Sequence, residues 1–148
     1  MWGGGTDLGG FAASTFKRGI DYINVPTTLL SMVDASVGGK TGINFNGLKN
    51  KIGAFKKPKK VILDTIFLKT LDNENILSGY AEMLKHGLMS TVENLDDILS
   101  FDFNDNNYIK LTDMVAQSVE IKEFVVKDDP YKRYKEGLEF RTYCRACI

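Results

Sequence analysis

The stretch Val25-Pro26-Thr27-Thr28-Leu29-Leu30-Ser31-Met32-Val33-Asp34-Ala35-Ser36-Val37-Gly38-Gly39-Lys40-Thr41 decides how the rest of the chain is read. Pro26 stops the short apolar strand Tyr22 to Val25 that precedes it. Thr27 or Thr28 caps a helix, whose apolar positions are Leu29, Leu30, Met32 and Val33. Asp34 lies about two turns into that helix, where it pairs with Lys40 or meets a ligand. Ser36 to Thr41 reads as a loop in which Gly38 and Gly39 leave room beside the Lys40 ammonium, an arrangement suited to an anion. The adjacent hydroxyls of Thr27 and Thr28 either cap the helix or reach a cofactor's ribose or phosphate. Singly, these are a cap, a turn and a surface ion pair; as one uninterrupted string they are far more specific.

Toward the N-terminus, Gly3-Gly4-Gly5-Thr6-Asp7 reads as a tight glycine loop. Consecutive glycines let backbone N–H groups approach a phosphate, and a following helix N-terminus favours negative charge. The plain alternative is a structural turn. Leu8 to Arg18 has helical character, with Phe11, Thr15 and Arg18 at helical spacing. Toward the C-terminus, Ile52 to Phe55 and Val61 to Leu63 read as strands, the second ending at Asp64. Thr65 to Leu71, Ile76 to Met89, Leu95 to Phe101 and Tyr108 to Val126 then carry helical periodicity. In the last of these, Leu111, Met114, Val115, Ser118, Val119 and Lys122 keep one face. The chain therefore reads as α/β followed by all-α, with a boundary near Leu71: residues 1–71, then 72–131, then a tail at 132–148.

Nineteen basic residues balance nineteen acidic ones over 148 positions, so net charge points to neither nucleic acid nor an anionic membrane as a partner. The apolar runs fall short of a bilayer span and no signal peptide opens the chain, which makes a cytoplasmic location the expectation. Cys144 and Cys147 form a lone Cys-x-x-Cys pair with no second pair to complete a zinc site, and no role is assigned to them.

A third string, Gly79-Tyr80-Ala81-Glu82-Met83-Leu84-Lys85-His86-Gly87, places Glu82, Lys85 and His86 on one helix face. Such a face offers a carboxylate and an imidazole to a metal, with an ammonium beside them for a phosphate or carboxylate. Its plain reading is a solvated ion pair and a structural histidine.

The order and wording of these strings, together with Lys49-Asn50-Lys51-Ile52-Gly53-Ala54-Phe55, resemble the 3-dehydroquinate synthases from about Gly3 to Asp129. The resemblance implies the end of an N-terminal NAD-binding α/β domain plus the start of a C-terminal helical metal-binding domain, with the active site in the cleft between them. It also implies conversion of 3-deoxy-D-arabino-heptulosonate 7-phosphate to 3-dehydroquinate and phosphate in the shikimate pathway. By resemblance, Gly3, Gly4, Gly5, Asp7, Thr27 and Thr28 serve NAD. Asp34, Lys40, Lys49, Asn50 and Lys85 contact the substrate, and Arg18 reaches the phosphate in a neighbouring subunit of a homodimer. Glu82 is a ligand of the divalent metal, zinc or cobalt; His86 has no such family role and is left as structural.

The sequence departs from the family's pattern in three places. The family has roughly a hundred further residues before Gly3, by resemblance the start of its dinucleotide fold. Thr6 follows Gly5 directly where the family usually has apolar residues between. After Asp129-Pro130-Tyr131 a histidine-bearing motif is expected, yet residues 133–148 read otherwise. Back-translated with suitable codons and shifted by one base, that tail gives Gly-Ile-Arg-Lys-Ala-Leu-Asn-Phe-Gly-His-Thr-Ala-Gly-His-Ala, so a frameshift near Tyr131 is expected. With Glu82 alone as ligand, a catalytic metal site is incomplete and the chain is expected to be an inactive fragment. Two other readings are another sugar-phosphate cyclase, such as one like 2-deoxy-scyllo-inosose synthase, and a non-catalytic binding or assembly module.

Overall fold

The computed structural model describes residues 4–103 and 107–128, so the expectations for Gly3, for Cys144 and Cys147 and for the tail at 132–148 lie outside the described residues. Helix α1 (Gly4–Thr15) runs into a short 3-10 turn at Phe16–Arg18 and then strand β1 (Ile23–Asn24). A π-helical turn at Ser31–Ala35 leads to the hairpin β2 (Lys40–Phe45) and β3 (Leu48–Phe55), then β4 (Lys60–Val61). After a 3-10 turn at Thr65–Thr70 the chain is helical: α2 (Asn73–Leu88), α3 (Val92–Leu99) and α4 (Tyr108–Asp128). Strand β1 pairs in parallel with β4, and β2 in antiparallel with β3. The α/β-then-α order expected from the sequence is the order observed.

Three local expectations are corrected. The glycine run is not a loop: α1 begins at Gly4 and takes in Gly5 and Asp7. Packing overrides the poor helix propensity of glycine here. A Cβ on Gly10 would run into the Thr41 side chain and the Tyr22 hydroxyl, so a bare helix face is what lets α1 lie against β2. The loop expected through Thr41 ends earlier, because Lys40 and Thr41 already belong to β2. The helix after Pro26 is also shorter and wider than predicted. Met32 N–H donates to Thr28 C=O at 3.0 Å, but Ser36 N–H reaches back five residues to Ser31 C=O at 2.9 Å, so Asp34 sits in a π-turn rather than two turns along a regular helix.

Thr28 and Ser31 start that turn with reciprocal bonds. Ser31 N–H donates to Thr28 Oγ1 at 3.2 Å and Thr28 N–H donates to Ser31 Oγ at 3.1 Å, a capping box with serine in the place of the usual glutamate. The later helices carry conventional caps: Asp72 accepts from Asn75 N–H at 2.8 Å, Thr91 from Asn94 N–H at 3.3 Å and Asn107 from Lys110 N–H at 3.1 Å. The β2–β3 turn has positive φ at Asn46 (49°) and Gly47 (74°), the backbone that closes a two-residue hairpin with the right twist.

One core includes residues on both sides of Leu71. Leu29, Met32 and Val33 from the π-turn region pack in one buried cluster with Leu68, Met83, Ile98, Leu111, Met114 and Val115. Helix α2 crosses the start of the π-turn at Gly79, where a Cβ would strike Leu29 and the Leu30 backbone. Close approach at this point brings Glu82, one turn further along α2, level with Asp34.

Candidate active site

Three elements meet at the centre of the site. Lys122, on α4, is 1% exposed and places its ammonium 2.8 Å from Asp34 Oδ1 of the π-turn and 3.9 Å from Glu82 Oε1 of α2. Lys85 Nζ donates to the same Glu82 oxygen at 2.7 Å, one turn along the helix. His86, fully buried, has Nε2 3.4 Å from Glu82 Oε1 and Nδ1 2.6 Å from Ser118 Oγ of α4. The His86 imidazole and then the Lys85 ammonium hold the Glu82 carboxyl at a pKa of about 2, against 4.5 ordinarily, although burial works in the other direction. Glu82 is thus an ionised, immobilised carboxylate with positive charge on one side.

A second group lies around the hairpin. Asp7 from α1, Lys40 and Gly42 from β2, and Asn50 and Gly53 from β3 line a cavity of about 240 Å³. Asn50 adopts φ 50°, and its N–H donates to Asn44 Oδ1 at 2.9 Å beside the irregularity in the ladder between Ile43 and Phe45. Burial and then the nearby Asp34 charge raise the Asp7 pKa, while Lys49 lowers it. Those influences tie the π-turn, α1 and the hairpin to one electrostatic neighbourhood.

A third opening, of about 380 Å³, runs between the glycine face of α1 and the strand leading to Pro26; Gly5, Gly9, Tyr22 and Thr27 are on its wall. Thr28 is turned to a structural task, its hydroxyl donating to Ser31 Oγ at 2.8 Å. Arg18 is exposed in a left-handed turn (φ 69°) and lines neither cavity.

The structure thus gathers Asp7, Asp34, Lys40, Lys49 and Asn50 on one side and Glu82 with Lys85 on the other. It joins the two through Lys122, which the sequence reading counted only as a position on the apolar face of α4. A lysine in register with Leu111, Met114, Val115 and Ser118 was the available signal, because a buried ammonium demands carboxylate partners.

The family model for the 3-dehydroquinate synthase N-terminal region matches residues 1–78, over half of the chain. The chain belongs to the 3-dehydroquinate synthase family. The 3-dehydroquinate synthase of Parabacteroides distasonis is 60% identical over 141 residues, covering 93% of this chain and 40% of the relative. That of a Sulfurovum species is 47% identical over 130 residues, covering 86% and 37%. The chain therefore spans about two fifths of the length of such relatives. Among solved structures, 2-epi-5-epi-valiolone synthase from Streptomyces hygroscopicus, with NAD+ and Zn2+ bound, superposes with a TM-score of 0.74 at 30% identity over 87% of this chain and 37% of that one. A 2-deoxy-scyllo-inosose synthase complexed with carbaglucose-6-phosphate, NAD+ and Co2+ gives 0.72 at 29% identity over 89% and 37%.

The family and these neighbours raise the question of whether the residues fit a divalent metal. Glu82 fits one ligand position, being ionised and half-buried, with its contacts to Lys85, His86 and Lys122 made closest through Oε1. Among the described residues no three His, Cys, Asp or Glu side chains gather to complete such a site.

Proposed function

We propose that this chain carries part of the active site of a 3-dehydroquinate synthase, acting on 3-deoxy-D-arabino-heptulosonate 7-phosphate to give 3-dehydroquinate and phosphate. The observation that carries the reading is the Asp34–Lys122–Glu82 bridge, which ties the anion-suited hairpin side to the carboxylate on α2. Lys40, Lys49 and Lys85 supply fixed positive charge for the substrate's phosphate and carboxylate. Asp34, held by Lys122, and Asn50, held by the hairpin, orient the substrate's hydroxyls. Gly5 and Thr27 line the opening assigned to NAD, Gly4 and Asp7 belong to the same helix as Gly5, and Glu82 presents an anionic oxygen to zinc or cobalt. When bound, NAD supplies reversible oxidation of a ring hydroxyl and the cation polarises the substrate's oxygens. A homodimer in which Arg18 serves the neighbouring subunit belongs to the same proposal, as does the division of the chain near Leu71.

The sequence relatives named 3-dehydroquinate synthase reach 60% identity, whereas the valiolone and inosose synthases stand near 30%; this favours the first chemistry over another sugar-phosphate cyclase. The test is a graft of residues 4–128 into the Parabacteroides distasonis relative in place of its own matching segment. The graft is expected to release phosphate and form dehydroquinate, and Glu82→Gln or Lys40→Met in it to abolish both. A folded, metal-loaded graft with no turnover, or one active only on another sugar phosphate, would overturn the reading.

A further inference from the structure

The tip of the β2–β3 hairpin holds the one Asn-Gly step of the chain, Asn46-Gly47. The pair suits the turn, because both residues tolerate positive φ, here 49° and 74°. It is also the peptide bond that shields an asparagine side chain least, since glycine has no Cβ to stand beside its nitrogen. Nothing else screens it: a Cβ built on Gly47 would meet no atom within 4 Å. Both residues are exposed. Among the described residues neither the Asn46 carboxamide nor the Gly47 N–H has a hydrogen-bond partner.

The tip is loosely held as well. Beyond the irregularity between Ile43 and Phe45 the ladder has a single pair, Phe45 with Leu48. Those two side chains are 51% and 55% exposed, so little apolar burial opposes a local opening that releases the Asn46 backbone from its turn conformation. Asn44, two residues earlier, is the contrast. Phe45 follows it, and its Oδ1 accepts from Asn50 N–H at 2.9 Å.

We propose that Asn46-Gly47 is a site of spontaneous deamidation and isoaspartate formation. The Gly47 nitrogen attacks Asn46 Cγ. The N–Cγ bond forms, the Cγ–Nδ2 bond breaks, and Nδ2 leaves as ammonia with the Gly47 amide proton. One water then opens the cyclic imide: at Cγ it leaves an aspartyl residue, at the main-chain carbonyl an isoaspartyl residue whose backbone runs through Cβ and Cγ. The isoaspartyl link adds one carbon to the segment that the Asn44–Asn50 bond closes, which moves Leu48 out of register with Phe45 and strains that bond. Lys49 and Asn50, read above as substrate contacts, lie directly behind the turn. Only their loss rests on that reading; the chemistry at Asn46 does not.

The test ages the 148-residue chain at body temperature in mildly alkaline buffer and digests it with trypsin, which releases residues 41–49 as one peptide holding both asparagines. That peptide is expected to gain about one dalton, with fragmentation placing the change at Asn46 and leaving Asn44 intact, and to be labelled by an isoaspartyl methyltransferase. Gly47→Ala is expected to slow the change severalfold. Its strained turn opens more readily, so a slowing reports the attack itself and not the stability of the hairpin. Amide exchange over residues 42–52 should be faster in the isoaspartyl product than in freshly prepared Asn46→Asp, which carries the same charge on an ordinary backbone. An Asn46 that changes no faster than Asn44, or a Gly47→Ala chain that changes as fast as the wild type, overturns the site. Equal exchange in the isoaspartyl and Asn46→Asp chains overturns its effect on the hairpin, and leaves the substrate reading of Lys49 and Asn50 where it stood.

Discussion

Removing the Asp34 carboxylate takes from the buried Lys122 ammonium its partner at 2.8 Å and leaves Glu82 Oε1 at 3.9 Å beside it. Asp34→Ala is therefore expected to destabilise the fold by about 3–5 kcal/mol in urea unfolding. Lys122→Met should cost less, since it fills similar volume and Asp34, 38% exposed at its side chain, can turn to water. Equal losses for the two would show that the ion pair is not buried as described. At Gly79 the issue is space: Gly79→Ala drives a methyl into Leu29 and the Leu30 backbone, with an expected loss of about 1–3 kcal/mol by the same measurement. Glu82, with its pKa lowered from 4.5 to about 2, stabilises the folded chain fully above about pH 4.5. That contribution fades as pH falls toward about 2, because the unfolded carboxyl takes up its proton first. Glu82→Gln should flatten the acid limb of a stability–pH curve; an unchanged limb would mean that Glu82 is not held by charge.

Among the elements, the π-turn and the hairpin carry the site's geometry, and both depend on small polar residues. Thr28→Ala removes one half of the cap on the π-turn and is expected to cost about 1 kcal/mol. It should also loosen Asp34, read as faster amide exchange over residues 31–36. Gly47→Ala forces a methyl into φ +74° and should cost about 1 kcal/mol in thermal unfolding. Helices α2, α3 and α4 were legible in the sequence because their apolar spacing and caps agree; the buried face of α4 is the one that its periodicity marks, Lys122 included. The hairpin was half legible. Asn46-Gly47 between Ile43, Phe45, Leu48 and Ile52 is a strong local turn signal, but the glycines on either side made β2 look like the end of a loop. Helix α1 was hidden for the reverse reason: its glycines argue against a helix, and only contact with β2 and Tyr22 makes them useful. The Asp34–Lys122 pair was not legible at all, since 88 positions separate its members and neither segment alone names the other.

For the molecule as a whole, charge is balanced yet unevenly spread. Residues 1–71 hold ten Lys or Arg against four Asp or Glu, and residues 72–128 hold four against twelve. The substrate proposed for the site is anionic, so the basic half is the half that attracts it. In the grafted enzyme, kcat/KM is expected to fall as salt rises from low to physiological ionic strength while kcat holds; an unchanged kcat/KM would deny long-range attraction a part. No described helix is long and apolar enough to cross a membrane.

The shared core has a consequence for synthesis on the ribosome. Leu29, Met32 and Val33 find their partners Leu111, Met114 and Val115 only after α4 has been made. At about 5–20 residues per second, the gap between the first group and the end of α4 is roughly 5–20 s. For that interval Leu68, Met83 and Ile98 cover only part of the segment Leu29–Val33, and the face meant for α4 stays open to water in the nascent chain.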